Sequence, residues 1–261
     1  MPINPSSPRS PIQQVVDDLR ARIESGDLAP GAKLPVTHVL VEHYGVSPDT
    51  LRHAIGRLKT SGLVDTKRGV GTFVRPQTRM KRLGADRYSR SKRAAGVVAF
   101  AADREASGRE WNRTDQTQTV HQVEATSEVA EALGIEIGSA VIERSRLVVD
   151  GKEPTQRLTS WYKLSDVEGT PIADPTPGPA GPGGGYGTLD DLGIGPDEIE
   201  ETIVARMPTS EEEDVLHIPV GEPVFDLRRV AFTASGDPVE YARGTYRAKH
   251  FSWSYRFKVP D

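Results

Sequence analysis

Residues 45–58 decide the fold of the first part of the chain: Gly45-Val46-Ser47-Pro48-Asp49-Thr50-Leu51-Arg52-His53-Ala54-Ile55-Gly56-Arg57-Leu58. Ser47 stands where a helix N-cap belongs, and Pro48 follows at the first helical position, where its missing N–H costs nothing. From Leu51 onward the apolar residues recur at helical spacing and form one stripe, while polar groups crowd the opposite face. A short apolar helix over 36–44 precedes the Gly45 turn. This order is typical of a helix-turn-helix whose second helix contacts DNA.

The residues on either side extend the same prediction. Residues 63–67 and 72–75 are predicted as two short strands, joined by a glycine-flanked turn with Arg68 at its tip. A hairpin beside a recognition helix forms a wing. Upstream, apolar positions at helical spacing predict an amphipathic helix over residues 11–25 that packs into the same core.

Several motifs in register resemble the winged helix-turn-helix of the GntR family, from residue 11 to about residue 75. They are the stretch 26–35, Gly45-Val46-Ser47, Thr50-Leu51-Arg52, Gly62-Leu63-Val64 and Arg68-Gly69-x-Gly71-Thr72-Phe73-Val74. The resemblance implies that Arg52 presents its fork to a guanine, a contact worth about 1–3 kcal/mol of discrimination. The alternative role for Arg52 is a surface salt bridge. The DNA-binding residues expected from the resemblance are Lys33, His38, Ser47, Thr50, Arg52, His53, Lys67, Arg68 and Gly69.

Composition restricts the class of protein. The chain has 261 residues, of which 36% are hydrophobic and 27% charged, and no apolar run approaches the roughly 20 residues of a membrane-spanning helix. The absence of cysteine excludes disulfides and thiolate metal sites, and the six histidines show no metal-binding spacing. No metal or cofactor is therefore expected. Because residues 1–11 lack the apolar core of a signal peptide, we expect a cytoplasmic protein without membrane contact.

Charge is distributed unevenly along the chain. Residues 1–80 carry 11 Lys/Arg against 7 Asp/Glu, although the whole chain has a net charge of −4. Residues 67–93 contain ten cations, with Asp86 as the single acid. Such a run is either a solvated linker or, beside a wing, a set of phosphate contacts. We expect a disordered N-terminus over 1–10, a DNA-binding domain over 11–76, a basic linker over 77–95 and a second domain over 96–261.

The second domain is predicted to be α+β, with an antiparallel sheet and a few short helices. Turn signals at Asp150-Gly151 and Ser235-Gly236 indicate two hairpins. The stretch 171–187, with five prolines and six glycines, is predicted as a flexible loop outside the core. Strands are predicted over 118–125, 140–149, 155–162, 200–207, 224–233, 239–246 and 253–259, and helices over 128–133 and 209–216.

This order, over roughly residues 96–258, resembles the UTRA domain of the HutC subfamily, which is similar to the chorismate lyase fold. The motifs that carry the resemblance include Leu133-Gly134-Ile135, Glu143-Arg144-Ser145-Arg146-Leu147, Arg228-Arg229 and Gly236-Asp237-Pro238-Val239-Glu240-Tyr241. The resemblance implies a domain that binds a small-molecule effector and forms a homodimer.

Arg144 and Arg146 lie two apart on one predicted strand, so both side chains project to the same face. Two guanidiniums there could clamp a carboxylate or a phosphate. They could instead pair with Glu143 or Glu153 on the sheet surface. Ala101 replaces the small hydroxyl residue that the family often has after its Phe. The effector-binding residues expected from the resemblance are Phe100, Arg144, Arg146, Thr188, Glu240 and Tyr246.

Three functions follow as hypotheses. The first is a homodimeric repressor that binds a palindromic operator in double-stranded DNA and is released by a small, anionic effector. The second is an operator-binding repressor whose C-terminal domain only dimerises and senses no small molecule. The third, an enzyme, finds little support because the sequence has no phosphate-binding glycine loop with Lys-Ser/Thr and no recognisable catalytic order.

Overall fold

The computed structural model describes residues 3–4, 6–67, 69–75, 79–110, 112, 115–151, 153–176 and 178–256. The chain divides into two compact units, residues 1–78 with 219–222 and residues 79–218 with 223–261, and the boundary used below lies between Thr78 and Arg79. We call them the N-terminal and the C-terminal unit.

The N-terminal unit has three helices followed by a β-hairpin. Its helices are α1 (Pro11–Glu24), α2 (Thr37–Tyr44) and α3 (Pro48–Thr60), and its strands β1 (Val64–Lys67) and β2 (Gly71–Val74) pair antiparallel. The predicted apolar stripes meet in one core, where Val15, Leu19, Leu51 and Leu58 are at most 2% exposed. The winged helix-turn-helix prediction is confirmed.

The start of α3 forms as its sequence predicts. Gly45 adopts a left-handed conformation with φ of 66°, which favours glycine and ends α2 sharply. The Ser47 side chain caps α3 by accepting from the Thr50 amide at 3.1 Å. The expected disordered N-terminus differs from the structure, because Ile3 packs against this core and its amide donates to the Tyr44 carbonyl.

The C-terminal unit is built on a six-stranded antiparallel sheet in the order β4-β5-β6-β9-β8-β7. The strands are β4 (Gln116–Glu124), β5 (Ala140–Asp150), β6 (Glu153–Lys163), β7 (Glu198–Arg206), β8 (Val224–Phe232) and β9 (Pro238–Arg247). A separate parallel pair joins β3 (Met80–Arg82) to β10 (Phe251–Trp253). The α+β prediction is confirmed, and both predicted hairpins form.

Short helices accompany the sheet. They are α4 (Arg90–Ala94), α5 (Ala99–Ala106), α6 (Ser127–Leu133), α7 (Leu164–Val167), α8 (Gly184–Asp191) and α9 (Ser210–Leu216), with 3-10 turns at Ala85–Tyr88 and Ala248–His250. Thr209 and Glu212 form the predicted capping box of α9. Helix α6 packs against one sheet face through Val129 and Leu133. The opposite face of the sheet carries the site described below.

Residues 79–95 differ from the predicted basic linker. This stretch contains β3, a 3-10 turn and α4, and three of its cations are buried rather than exposed to phosphate. Arg82 pairs with Glu201 at 2.5 Å, Arg87 with Asp103 at 3.1 Å and Arg93 with Asp190 at 2.9 Å. Each partner carboxylate belongs to the C-terminal unit. The free-energy cost of burying these charges is offset by pairing, which the cations of a solvated linker would not need.

Two further predictions were wrong in the C-terminal unit. The Pro/Gly-rich stretch 171–187 is not outside the core, because Ile172, Ala180 and Tyr186 are buried in a hydrophobic cluster with Tyr162. The last strand ends at Trp253 rather than continuing, since residues 254–256 form no strand. The rest of that predicted strand, 257–259, lies outside the described residues.

Candidate effector pocket and DNA-binding surface

A cavity of about 100 Å³ lies on the face of the sheet opposite α6. Its floor comes from alternate residues of β5, β6, β8 and β9, because side chains on a strand alternate between the two faces. The stretches 178–180 and 183–186 supply much of the remaining wall, together with residues 98–100. Four arginines line this cavity against one glutamate: Arg87, Arg144, Arg146 and Arg229 against Glu240.

Arg144 and Arg146 both lie in this wall, as their spacing predicts. Neither forms a salt bridge with a carboxylate in the part of the chain that the structure describes. Glu143 faces away and accepts from the Trp161 indole at 3.0 Å, while Glu153 lies near Lys249 and His250. The alternative of surface pairing with either glutamate is therefore not what the structure shows.

The two arginines differ in how their donors are used. Arg144 donates to the carbonyls of Ile172, Asp174 and Gly178 at 2.9–3.1 Å, and so holds the Pro/Gly-rich stretch against the sheet. Burial, with a smaller contribution from the charge of Arg146, lowers the pKa of Arg144 to about 10. Arg146 donates to the Ser160 hydroxyl at 2.7 Å, and its buried Nε has no hydrogen-bond partner among the described residues.

Glu240 is the anionic centre of a buried cluster in the same wall. It accepts from Tyr162 at 2.8 Å and Tyr186 at 2.6 Å, and it pairs with Arg229 at 2.8 Å. Burial alone would raise the pKa of Glu240, but the Arg229 charge and the hydrogen bonds outweigh it and hold the pKa below its usual value. Glu240 is therefore ionised. Because its oxygens already accept hydrogen bonds, its role is to hold the pocket wall in place.

The cluster continues to β3 through tyrosine hydroxyls. Tyr88 accepts from Arg229 at 2.9 Å and donates to Glu201 at 2.6 Å. Arg82 donates to the same Tyr88 hydroxyl and to the Tyr246 hydroxyl at 2.6 Å. The segment that follows the unit boundary is thus joined to the pocket wall by a continuous hydrogen-bonded chain.

The other predicted effector residues are not all in the pocket. Phe100 and Tyr246 line it, with the Tyr246 hydroxyl already bound to Arg82. Thr188 lies in α8 outside the lining, where its hydroxyl donates to the Ala180 carbonyl at 2.7 Å. Its hydroxyl is therefore used to fix the Pro/Gly-rich stretch.

The predicted DNA-binding residues lie around α3 and the hairpin. Arg52 is 76% exposed at its side chain and pairs with Asp49 at 2.7 Å. Lys33 and Arg52 line the same cavity of about 510 Å³, which α3 and the hairpin also border. The side-chain hydroxyls of Ser47 and Thr50 share a hydrogen bond of 2.9 Å. His38, His53, Lys67 and Gly69 are exposed, and Arg68 lies outside the described residues.

Sequence reasoning missed Arg87 and Arg229 as parts of the pocket wall, and Arg82 as a member of the hydrogen-bonded chain behind it. Arg82 and Arg87 sit in a run of cations whose local pattern indicates a solvated surface. Their partners Glu201 and Asp103 are distant or lie in another element, so no local signal identifies the pairs.

The described residues include neither a metal-binding cluster nor a membrane-spanning helix. No three His, Asp or Glu side chains there are grouped so that they could hold a metal ion. No helix there is long and apolar enough to cross a membrane.

Comparison with known proteins agrees with this architecture. The model of bacterial regulatory proteins of the gntR family matches residues 11–74, and the UTRA domain model matches residues 114–252. An HTH-type transcriptional regulator of Streptomyces coelicolor is 46% identical over 257 residues, covering 98% of this chain and 96% of that protein. The HTH-type transcriptional repressor NagR of Bacillus subtilis is 23% identical and covers 97% of each chain. The crystal structure of a GntR-family transcriptional regulator is 29% identical with a TM-score of 0.57, over 97% of this chain and 99% of that one.

The resemblance predicted from the sequence is confirmed. The chain belongs to the GntR family of transcriptional regulators and combines a GntR DNA-binding domain with a ligand-binding UTRA domain in a HutC-like arrangement.

Proposed function

We propose that this regulator is a homodimeric repressor that binds a palindromic operator and is released from it by a small anionic effector. It acts in the cytoplasm, where operator DNA is found, and performs no catalysis. Effector binding shifts the population of the dimer away from the spacing of recognition helices that fits the operator.

One observation supports the proposal that the effector is an anion. Arg144, which is buried, and Arg146, which is half-buried, lie side by side in the wall, and neither forms a salt bridge with a carboxylate among the described residues. Glu240 attracts Arg146, but it is already paired with Arg229. Burial of the remaining charge is costly, and two like charges raise that cost. Binding of an anion would offset both, so the pocket favours an anion over a neutral or cationic ligand.

The proposed DNA contacts divide into two groups. Arg52 and Thr50, at the exposed start of α3, contact bases in the major groove. The Asp49–Arg52 pair does not prevent this, because exposed ion pairs contribute at most about 1 kcal/mol. The residues proposed to contact the DNA backbone or to support the wing are Lys33, His38, Ser47, His53, Lys67, Arg68 and Gly69.

A panel of sugar phosphates, carboxylates and neutral sugars tests the effector, with thermal unfolding of the full chain as the readout. We expect stabilisation by anions only, and its loss in Arg146→Gln. The matched control is Arg157→Gln, whose arginine lies on the opposite sheet face and pairs with exposed Glu211. Stabilisation by neutral sugars, or full retention in Arg146→Gln, would contradict an anionic effector at this site.

A second function is favoured by a specific feature of the pocket. At about 100 Å³ the cavity is smaller than the roughly 300–1,000 Å³ of ordinary ligand sites, and Arg144 already holds backbone carbonyls. A repressor whose C-terminal unit only dimerises would have such a contracted site. This alternative predicts that no member of the panel alters the unfolding temperature or the affinity for DNA.

A further inference from the structure

Arg87 is the one arginine of the pocket wall that comes from the segment following the unit boundary. It lies in the 3-10 turn Ala85–Tyr88, soon after Arg79 begins the C-terminal unit. Its side chain is 6% exposed and lines the same cavity as Arg144 and Arg146. The Tyr88 ring packs against its guanidinium, 5.0 Å from the ring centre.

The donors of Arg87 are only partly used. Nη2 pairs with Asp103 at 3.1 Å, whereas the buried Nε and Nη1 have no hydrogen-bond partner among the described residues. Asp103 is itself held in place, since its other oxygen accepts from the Leu83 amide at 3.0 Å. Buried donors without acceptors are rare because each one costs free energy.

The free donors of this wall match one kind of ligand group. Nε and Nη1 of Arg87 and Nε of Arg146 are three unpartnered, buried donor nitrogens on two cations. A phosphate monoester offers three terminal oxygens and a charge near −2, and planar guanidiniums bind such oxygens well. The cavity, at about 100 Å³, has room for a tetrahedral oxyanion.

We propose that Arg87 is a direct contact to the oxyanion of the effector, so that the segment following the DNA-binding unit forms part of the effector site. This inference rests on the proposed function, because it assigns a residue to the same anion site. The bound oxyanion shares Arg87 with Asp103 and loosens that ion pair. Effector binding therefore acts directly on the segment that leads out of the DNA-binding unit.

Titration of the full chain with inorganic phosphate, by calorimetry at constant ionic strength, tests the proposal. The variants are Arg87→Gln, Arg87→Lys, Asp103→Asn and Arg146→Gln. Arg90→Gln serves as the matched control because Arg90 lies in the same segment but is exposed and pairs with Asp197. Circular dichroism and the unfolding temperature establish that each variant is folded.

Phosphate should bind Arg87→Gln at least about 10-fold more weakly than the wild type, since hydrogen bonds to a charged group are lost. Arg87→Lys, which keeps the charge beside Asp103 but not the fork, should also bind more weakly. Asp103→Asn keeps an acceptor for the Leu83 amide and removes the carboxylate that competes with the anion for Arg87, so its affinity should rise by at least about 3-fold. Through-space attraction alone would leave Arg87→Lys at wild-type affinity, so weaker binding by that variant identifies a direct contact of the fork.

Other outcomes separate the inference from the proposed function. Wild-type affinity in Arg87→Gln and Asp103→Asn, with binding lost in Arg146→Gln, overturns the role of Arg87 and leaves the anionic effector standing. Absence of saturable phosphate binding by the wild-type chain overturns both. An equal response to acetate overturns the assignment of a tetrahedral oxyanion.

Discussion

Arg82 offers the sharpest test of the finding that residues 79–95 belong to the C-terminal unit. Its side chain is 2% exposed, and it binds the Glu201 carboxylate at 2.5 Å as well as two tyrosine hydroxyls. Arg82→Gln would leave Glu201 buried without its main counter-charge. Removal of one partner from a buried pair costs about 3–5 kcal/mol. Because Tyr88 still donates to Glu201, we expect the lower end, about 3 kcal/mol.

The assay is urea unfolding of the full chain followed by tryptophan fluorescence. All three tryptophans, at positions 111, 161 and 253, lie after the unit boundary, so the signal follows the C-terminal unit. The control Arg90→Gln removes an exposed pair and should cost under about 1 kcal/mol.

A double variant, Arg82→Met with Glu201→Leu, removes both charges and should recover much of the loss, because apolar replacements of buried pairs are often neutral. A loss below about 1 kcal/mol in Arg82→Gln would refute the buried pair. So would a double variant less stable than the single one.

Three further predictions concern other parts of the chain. Arg52→Ala should abolish the preference for one base in each operator half-site, a loss of about 1–3 kcal/mol in discrimination measured by duplex competition; an unchanged preference would contradict the assigned base contact. Gly187→Ala should destabilise the C-terminal unit in the same urea assay, because an added Cβ would overlap the Pro182 carbonyl oxygen; wild-type stability would show that the stretch adapts freely. Burial opposes ionisation of Glu212, but hydrogen bonds from Arg206 and Thr245 outweigh it and lower the pKa of Glu212 to about 2. The resulting stability is present above the unfolded pKa of about 4.5 and is lost as pH falls towards 2, so Glu212→Gln should flatten the unfolding profile over that range, by on the order of 1–2 kcal/mol after discount for screening. A variant profile as steep as that of the wild type would contradict this.

The N-terminal unit could be predicted closely because its signals are local. A cap at Ser47, a proline at the first helical position and a left-handed glycine at 45 each act within a few residues. Apolar spacing then determines which helix faces pack together. The hairpins of the C-terminal unit were predictable for the same reason, since turn residues and alternation act over short distances.

The pocket wall could be predicted only in part. The spacing of Arg144 and Arg146 is enough to place both on one face, but it does not show that Arg144 holds the Pro/Gly-rich stretch through its carbonyls. Pro and Gly indicate irregular backbone, which a buried arginine can nevertheless order. Likewise, Arg82 resembles any other cation in a basic run until the fold brings Glu201 beside it.

Selection of bound duplexes from a random pool, at two salt concentrations, tests the central claim most directly. We predict enrichment of a symmetric site with one conserved half-site, retained at the higher salt concentration, as expected for a dimer whose recognition helices contact bases. Uniform enrichment, with binding lost steeply as salt rises, would mean that phosphate attraction dominates and would contradict a sequence-specific repressor.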